Sequence, residues 1–210
     1  MNAATFSAEN LTCRRSDHLV FRGLGFEVPV GGALILLGPN GSGKSSLLRL
    51  LAGLLKSETG SLSWGGEKLS SDREAHAGRL HYLGHQDALK PVLTVRENLL
   101  FWARLHQPMV ADAVVDAALA ALTLTSLADL PAKLLSAGQK RRLALSRLLA
   151  AKAPLWLLDE PSVGLDVASV ARLEGLIAEH RAAGGIVILS THVELDLPGA
   201  EQLHLGNFAP

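Results

Sequence analysis

The chain has too few cysteines for a disulfide or a cysteine-bound metal, and it lacks the excess positive charge of a nucleic-acid-binding protein. Cys13 is the only cysteine among 210 residues, which excludes an internal disulfide and any CxxC motif and fits a reducing compartment. Lysine plus arginine (20) equals aspartate plus glutamate (20), so the excess positive charge that drives nucleic-acid binding is missing. We therefore expect no nucleic-acid partner.

Long apolar runs are missing as well. The most apolar long window, residues 113–124, is interrupted by Asp116 and is shorter than the roughly 20 residues that a bilayer-spanning helix needs. Residues 1–10 lack a basic start followed by an apolar core, so no secretory signal is predicted. We expect the chain to stay in the cytoplasm, and any membrane association to come through a partner.

A glycine-rich stretch between two apolar runs is the strongest positive signal. Glycines let successive backbone N–H groups point inward, and the helix predicted to begin near Lys44 adds the positive end of its dipole. Lys44 is expected to reach the β- and γ-phosphates of a nucleotide, and Ser45 a magnesium ion. The pattern predicts a phosphate-binding loop formed by Gly38, Pro39, Asn40, Gly41, Ser42, Gly43, Lys44, Ser45 and Ser46.

Three further apolar stretches are predicted as strands, at residues 80–83, 155–158 and 186–190. Polar side chains follow each one, and ligands are met at the carboxyl ends of strands in such sheets. Gln86 follows the first strand. Asp159 and Glu160 end the second, where Asp159 is expected to hold magnesium and Glu160 to orient and deprotonate the attacking water. His192 follows the third and can donate to the γ-phosphate.

A second anion site is predicted at the start of a helix. Ser136 and Gln139 have capping-box spacing, while Ala137 and Gly138 leave the backbone amides of the first turn uncovered. Spacing alone favours an ordinary capped helix, but the neighbouring motifs favour an anion site. Because a left-handed alanine costs about 1–2 kcal/mol, we predict a negative φ at Ala137.

The helix predicted to begin after Thr94 is apolar around most of its circumference. Thr94 and Glu97 form a capping box, and the apolar side chains are Val95, Leu99, Leu100, Phe101, Trp102 and Leu105. Such a helix is either core within the domain or covered by a partner protein, and the pattern leaves both alternatives open.

The predicted fold class is α/β, with a phosphate-loop nucleotide-binding core, an antiparallel β lobe and an inserted α-helical lobe. Residues 5–28 indicate two or three antiparallel strands, and residues 60–66 indicate a strand running into a hairpin turn. No repeat or low-complexity linker divides the chain, so residues 1–210 are predicted to form one domain. Within it, residues 1–86 and 154–210 would form the core with the β lobe, and residues 87–153 the helical lobe.

In content, order and spacing, these motifs resemble the ABC-transporter ATPase family over nearly the whole chain. The resemblance implies a magnesium-dependent ATPase that forms a head-to-tail dimer. Each ATP would be held between the phosphate loop of one copy and residues 136–139, the Ser136 turn, of the other. It implies that Gln86 joins the catalytic and magnesium-binding groups and couples them to integral membrane subunits. It implies that Asp166 links the two sites. Where the family usually places an aromatic to stack on adenine, this chain has Arg15, whose guanidinium plane can also stack on a base.

Within that family, residues 82–86, 93–99 and 135–142 resemble the ATP-binding subunits of the haem exporters of bacterial cytochrome c maturation. This implies ATP hydrolysis at the cytoplasmic face of the inner membrane, coupled to small membrane subunits. An ATPase of another small-solute transporter is the alternative. A soluble ATP-gated clamp on nucleic acid or ribosomes is disfavoured by the balanced charge and by the lack of a long coiled coil or a second ATPase unit.

Overall fold

The computed structural model describes residues 5–69 and 72–209. Residues 1–4, part of the segment in which no secretory signal is predicted, lie outside the described residues, as does the last residue of the predicted domain. The strands are β1 (Phe6–Arg15), β2 (His18–Val28), β3 (Ala33–Leu37), β4 (Thr59–Trp64), β5 (Glu67–Lys68), β6 (Leu80–Leu83), β7 (Leu155–Asp159), β8 (Ile186–Ser190) and β9 (Glu201–His204). The α-helices are α1 (Lys44–Leu51), α2 (Arg73–Gly78), α3 (Val95–His106), α4 (Asp112–Ala121), α5 (Ala137–Ala150) and α6 (Val167–Ala182).

A four-stranded antiparallel sheet in the order β2-β1-β4-β5 forms the β lobe. Phe6 on β1 pairs with Val28 on one side and Trp64 on the other. The hairpin between β4 and β5 turns at Gly65 and Gly66, which both have positive φ angles of 58° and 87°. The predicted antiparallel strands and hairpin are confirmed.

A five-stranded parallel sheet in the order β6-β7-β8-β3-β9 forms the centre of the molecule. Strands β7 and β8 are buried along their whole length, as their continuous apolar sequences predict. Because the strands are parallel, their carboxyl ends meet at one edge. The phosphate loop, Gln86, the Asp159–Glu160 pair and His192 all follow strands that end there.

Two capped helices frame the helical part of the fold. Thr94 caps α3 and Ser136 caps α5, each with the predicted capping box. Helices α3, α4 and α5 pack against one another and share buried apolar side chains such as Leu99, Leu119 and Leu143. The sequence predicts α4 slightly longer, at residues 110–122, than the observed Asp112–Ala121.

The central sheet separates two apolar clusters. Leu155 and Leu157 on β7 face the cluster that includes β1, β2 and α1, whereas Trp156 and Leu158 face the cluster that includes α3 to α6. The alternation follows from the period of two along a strand. Cys13 is fully buried in the first cluster, as expected for a structural thiol, and burial raises the pKa of that thiol.

Candidate functional site

The phosphate loop has the backbone that its glycines permit. Gly38, Gly41 and Gly43 have φ angles of 148°, 83° and 101°, a region that L side chains rarely adopt. Gly43 is the N-cap of α1, and among the described residues no side chain caps this helix and no acidic residue lies in its first turn. The free amides and the helix dipole therefore face the loop with uncompensated positive charge.

Two polar side chains are aimed into the loop. Lys44 is only 7% exposed, and its Nζ donates to the carbonyl oxygens of Gly38 (2.7 Å) and Pro39 (3.2 Å). The hydroxyl of Ser42 is buried and lacks a hydrogen-bond partner among the described residues. Buried polar atoms normally have partners, so this hydroxyl fits a polar ligand such as a phosphate oxygen.

Asp159 lies at the end of β7 with one carboxylate oxygen engaged and the other free. Ser190 Oγ donates to Asp159 Oδ1 at 2.8 Å, while Oδ2 has no partner among the described residues although Asp159 is only 2% exposed. An unpaired buried carboxylate oxygen is costly unless a cation or a donor meets it. Sequence reasoning missed Ser190. Its position opposite Asp159 in the register of β7 and β8 supplies the signal, but only once the pairing is known.

Glu160 and His192 form a carboxylate–imidazole pair beside Asp159. The backbone N–H of His192 donates to Glu160 Oε2 at 3.1 Å, and His192 Nε2 lies 3.3 Å from Glu160 Oε1. The Glu160 side chain is 13% exposed and that of His192 49%, so the pair lies at the boundary between the sheet edge and solvent. The arrangement can hold a carboxylate where it could accept a proton from water.

Glu160 has a φ angle of 50°, in the left-handed region that is uncommon for a non-glycine residue. Its N–H donates to Ser190 O (3.2 Å) and Ser190 Oγ (3.1 Å). Backbone strain of this kind persists only where surrounding contacts over-determine it, and it clusters at functional sites. The sequence carries no signal for this conformation.

Gln86 lies in the exposed segment after β6, beside a cavity of about 610 Å³. Arg49, His85, Trp102 and Arg147 also line this cavity. The Arg147 guanidinium lies 3.7 Å from the centre of the Trp102 ring, and burial lowers the pKa of Arg147 to about 10. Gln86 is therefore next to a groove that combines aromatic surface with positive charge.

The Ser136 turn lies on the helical part of the fold. Ser136 Oγ accepts from the N–H of Gln139 at 3.2 Å, and Gln139 Oε1 accepts from the N–H of Ser136 at 2.8 Å. Ala137 is the first residue of α5 and is not among the residues with positive φ, as predicted. A Cβ on Gly138 would lie 2.8 Å from the carbonyl oxygen of Gly164, so the start of α5 packs closely on the loop that leads to Asp166.

Neither Asp166 nor Arg15 makes a hydrogen bond to the Asp159–Glu160 pair among the described residues. Asp166 is the N-cap of α6 and accepts from the N–H of Ser169 at 2.8 Å. Hydrogen bonds with the side chain of Ser169 and then with its backbone hold the pKa of this carboxyl below its usual range. Arg15 is exposed at the end of β1. Val20 on the paired strand β2 lies within reach of Gly43, so the Arg15 end of this hairpin adjoins the phosphate loop.

The fold thus brings together one half of the predicted site. The phosphate loop, Asp159, Glu160, His192 and Gln86 share one edge of the parallel sheet. Among the described residues, no hydrogen bond joins the phosphate loop to the Ser136 turn.

Comparison with known proteins decides the family. The profile described as ABC transporter matches residues 21–163. The chain belongs to the ABC transporter family. It is therefore an ATP-hydrolysing enzyme, as its motifs predict, and family membership implies in general a second ATPase copy and membrane transporter subunits as partners. Within the described part of the chain, none of the helices is both long and apolar enough to cross a membrane.

Within this family, the chain is similar over nearly its whole length to several proteins named CcmA. It is 63% identical over 211 residues to the cytochrome c biogenesis ATP-binding export protein CcmA of Paramagnetospirillum magneticum, covering 100% of this chain and 97% of that protein. The CcmA proteins of Rhodospirillum rubrum and Vibrio cholerae are 58% and 43% identical and are covered to 88% and 97%. These matches cover 99% and 95% of this chain.

Solved structures support the fold. An ABC transporter ATP-binding protein from Pyrococcus furiosus superposes with a TM-score of 0.85 at 24% identity, covering 98% of this chain and 100% of that one. An ATP-binding subunit of another ABC transporter gives a TM-score of 0.82 at 25% identity, with 90% and 79% covered. The predicted α/β ATPase fold is confirmed.

Proposed function

We propose that this chain is the ATP-hydrolysing subunit of a haem export complex of cytochrome c maturation. The observation that carries the proposal is the 63% identity, over the whole chain, to a protein named for cytochrome c biogenesis and export. In this proposal two copies of the chain close on ATP at the cytoplasmic face of the bacterial inner membrane, and integral membrane subunits respond to the closure.

The phosphate loop is proposed to hold the nucleotide. Residues 38–46 supply backbone amides at the start of α1, and Lys44 already lies inside the loop, where phosphate oxygens would replace its carbonyl acceptors. The buried hydroxyl of Ser42 is a donor with no competing partner among the described residues. Arg15 is proposed to stack on the base from the end of β1.

The donor set fits a magnesium ion. Asp159 offers a buried carboxylate oxygen that has no partner among the described residues, and Ser45 and Gln86 would add the hydroxyl and amide oxygens that a hard cation prefers. Bound magnesium would neutralise charge on the phosphate oxygens. The hydrogen bond from Ser190 leaves Asp159 Oδ1 occupied, so Oδ2 is the oxygen available to the ion.

Glu160 is proposed as the group that accepts a proton from the attacking water. The contacts from the N–H and Nε2 of His192 hold the carboxylate in place at the boundary between the sheet edge and solvent. His192 is then close enough to the same water and phosphate to donate a hydrogen bond. Lys44 supplies positive charge to the phosphates from the other side.

The second half of the site is proposed to come from the other copy. The Ser136 turn, with Ala137, Gly138 and Gln139, offers free amides on the helical lobe but has no hydrogen bond to the phosphate loop of its own chain among the described residues. A head-to-tail dimer would place this turn against the partner's nucleotide. Asp166 is proposed to lie between the two sites.

The membrane subunits are proposed to contact α3 and the Gln86 groove. The structure leaves Phe101 and Leu105 on α3 exposed to 37% and 61%, so the core alternative does not account for these two side chains. The cavity beside Gln86 adjoins the same helix through Trp102. Movement at Gln86 would then reach the membrane subunits directly.

The Glu160→Gln variant tests the chemistry. It keeps the shape of the side chain but cannot accept the proton, so ATP hydrolysis should fall by about 10²- to 10⁴-fold while ATP binding is retained. Glu67→Gln, an exposed change on the β5 hairpin, is the matched control and should hydrolyse at the normal rate. Normal hydrolysis by Glu160→Gln would show that Glu160 is not the base.

A cell-based measurement tests the biological assignment. The native bacterium should carry Glu160→Gln as its only copy, and covalently bound haem in its c-type cytochromes should be measured after gel electrophoresis. We expect loss of these cytochromes with unchanged protoporphyrin haem in other proteins. Normal c-type cytochromes beside abolished ATP hydrolysis would retain the ATPase and reject the cytochrome assignment.

A further inference from the structure

Arg141 is a buried cation that contacts two separate segments of the site. It lies one turn into α5, is only 4% exposed, and has no contact with the phosphate loop among the described hydrogen bonds. Its guanidinium donates to Pro161 O from Nε (3.2 Å), to Asp159 O (2.7 Å) and Glu160 O (2.8 Å) from Nη2, and to Gly84 O (3.1 Å) and Asp87 Oδ1 (3.0 Å) from Nη1.

The acceptors fall into two groups that the chain separates widely. One group lies in the segment after β6 that contains Gln86, and the other lies at the end of β7 that contains Glu160. A planar guanidinium with five N–H donors can donate hydrogen bonds to both groups at once, whereas a lysine ammonium cannot reproduce this forked arrangement of donors. Arg141 therefore fixes the distance between the two segments.

Arg141 also contributes to the unusual backbone of Glu160. The carbonyl of Glu160 accepts from Arg141 and from the N–H of Val163 (3.2 Å), while its N–H donates to Ser190. Hydrogen bonds thus fix both the N–H and the carbonyl of Glu160, the residue with the left-handed backbone. Since the direction of the Glu160 side chain depends on that backbone, loss of Arg141 would let the carboxylate move.

Helix α5 connects these contacts to the Ser136 turn. Ser136 caps the helix and Arg141 follows five residues later in the same regular segment, so both move as one rigid body. We propose that Arg141 is a positioning residue that sets Glu160 and the Gln86 segment relative to the Ser136 turn. Engagement of that turn by a nucleotide on the other copy would then be transmitted to the carboxylate. The inference rests on the proposed role of Glu160 in hydrolysis.

The test compares Arg141→Gln and Arg141→Lys with Arg181→Gln in the full chain assembled with its native membrane subunits. Arg181 is the matched control because its guanidinium also bridges two backbone carbonyls, Gly31 O (2.9 Å) and Pro198 O (3.0 Å), and neither hydrogen bond involves a residue of the proposed site. For each variant we would measure the melting temperature, kcat for ATP hydrolysis, and the Kd of a methylanthraniloyl derivative of ATP.

Both Arg141 variants should lower kcat by about 10- to 100-fold, the loss expected from a misplaced reacting group, with Kd changed by less than about threefold. Lysine should fail to rescue because it keeps the charge and loses the fork. Arg181→Gln should lower the melting temperature while kcat stays within about twofold. A normal kcat in Arg141→Gln, full rescue by lysine, or a kcat loss in proportion to unfolded protein would each overturn the proposal.

A second measurement separates this proposal from the proposed chemistry. Hydrogen exchange in Arg141→Gln should rise at residues 84–87 and 159–163 and stay unchanged in the phosphate loop, whether or not Glu160 is the base. Raised exchange at both segments, together with normal ATP hydrolysis by Glu160→Gln, would show that Glu160 is not the base and would still support the positioning role of Arg141. Unchanged exchange at both segments would overturn the positioning role of Arg141.

Discussion

The stability of this protein should fall between pH 8 and pH 5 because of one buried histidine. His81 is only 3% exposed, and its Nε2 lies 2.7 Å from the carbonyl oxygen of Ala151, so this nitrogen carries the proton and donates. Burial lowers the pKa of His81 to about 4; the hydrogen bond to Ala151 opposes this shift in part, and the positive charge of Arg147 adds to it. The fold therefore favours the neutral ring.

Stability changes with pH because the folded and unfolded chains bind protons differently at His81. In the unfolded chain the pKa is about 6.5, so between pH 6.5 and pH 4 the unfolded state binds a proton that the folded state rejects. The contribution is fully present above pH 6.5 and is lost as the pH falls towards 4. The complete shift corresponds to about 3 kcal/mol, and the part lost at pH 5 to about 2 kcal/mol.

Urea unfolding at pH 8, 7, 6 and 5 measures the effect. The free energy of unfolding of the wild type should fall more than that of His81→Gln, by about 2 kcal/mol over this range. Burial also lowers the pKa values of His76 and His180, so the difference between wild type and variant is the relevant quantity. His18→Gln, an exposed change, should keep the wild-type pH dependence. Identical pH profiles for wild type and His81→Gln would refute this reasoning.

Two further substitutions test contacts within the site. Ser190→Ala removes the hydroxyl that donates to Asp159, so the magnesium concentration for half-maximal ATP hydrolysis should rise about 10- to 100-fold, and an unchanged magnesium requirement would contradict the fit of this site to the ion. Gly138→Ala places a Cβ 2.8 Å from the carbonyl of Gly164, so urea unfolding should show a loss of about 1–3 kcal/mol. Gly175→Ala, on α6 with open space around its added Cβ, should instead gain about 0.5–1 kcal/mol, and equal effects of the two glycine changes would show that close packing at Gly138 is not the cause.

Local sequence patterns predict much of this site because the relevant interactions are local. The phosphate loop depends on glycines that permit positive φ at residues 38, 41 and 43, and the capping boxes at Thr94 and Ser136 join residues three positions apart. The strand ends at Asp159 and His192 are also visible in the sequence, because a buried parallel strand is a continuous apolar run that stops at its first polar residue. The placement of these groups at one edge follows from parallel pairing.

Other parts of the site depend on residues that are far apart in the chain. Whether Phe101 and Leu105 are core or surface was open in the sequence, because an apolar helix gives the same pattern when a partner covers it. Burial of His81 against Ala151 joins positions 70 residues apart, and no local pattern indicates it.

The amino-acid pattern was enough to predict the family, a phosphate-binding loop and the order of the motifs, since these depend on residue types at short, fixed spacings. Three features became visible only in the folded chain: Ser190 orients Asp159, Glu160 has a left-handed backbone, and Arg141 joins the Gln86 segment to the end of β7. Each of these contacts spans about 20 to 60 residues of chain. Their formation depends on strand order and helix packing, which a local pattern of residues does not specify.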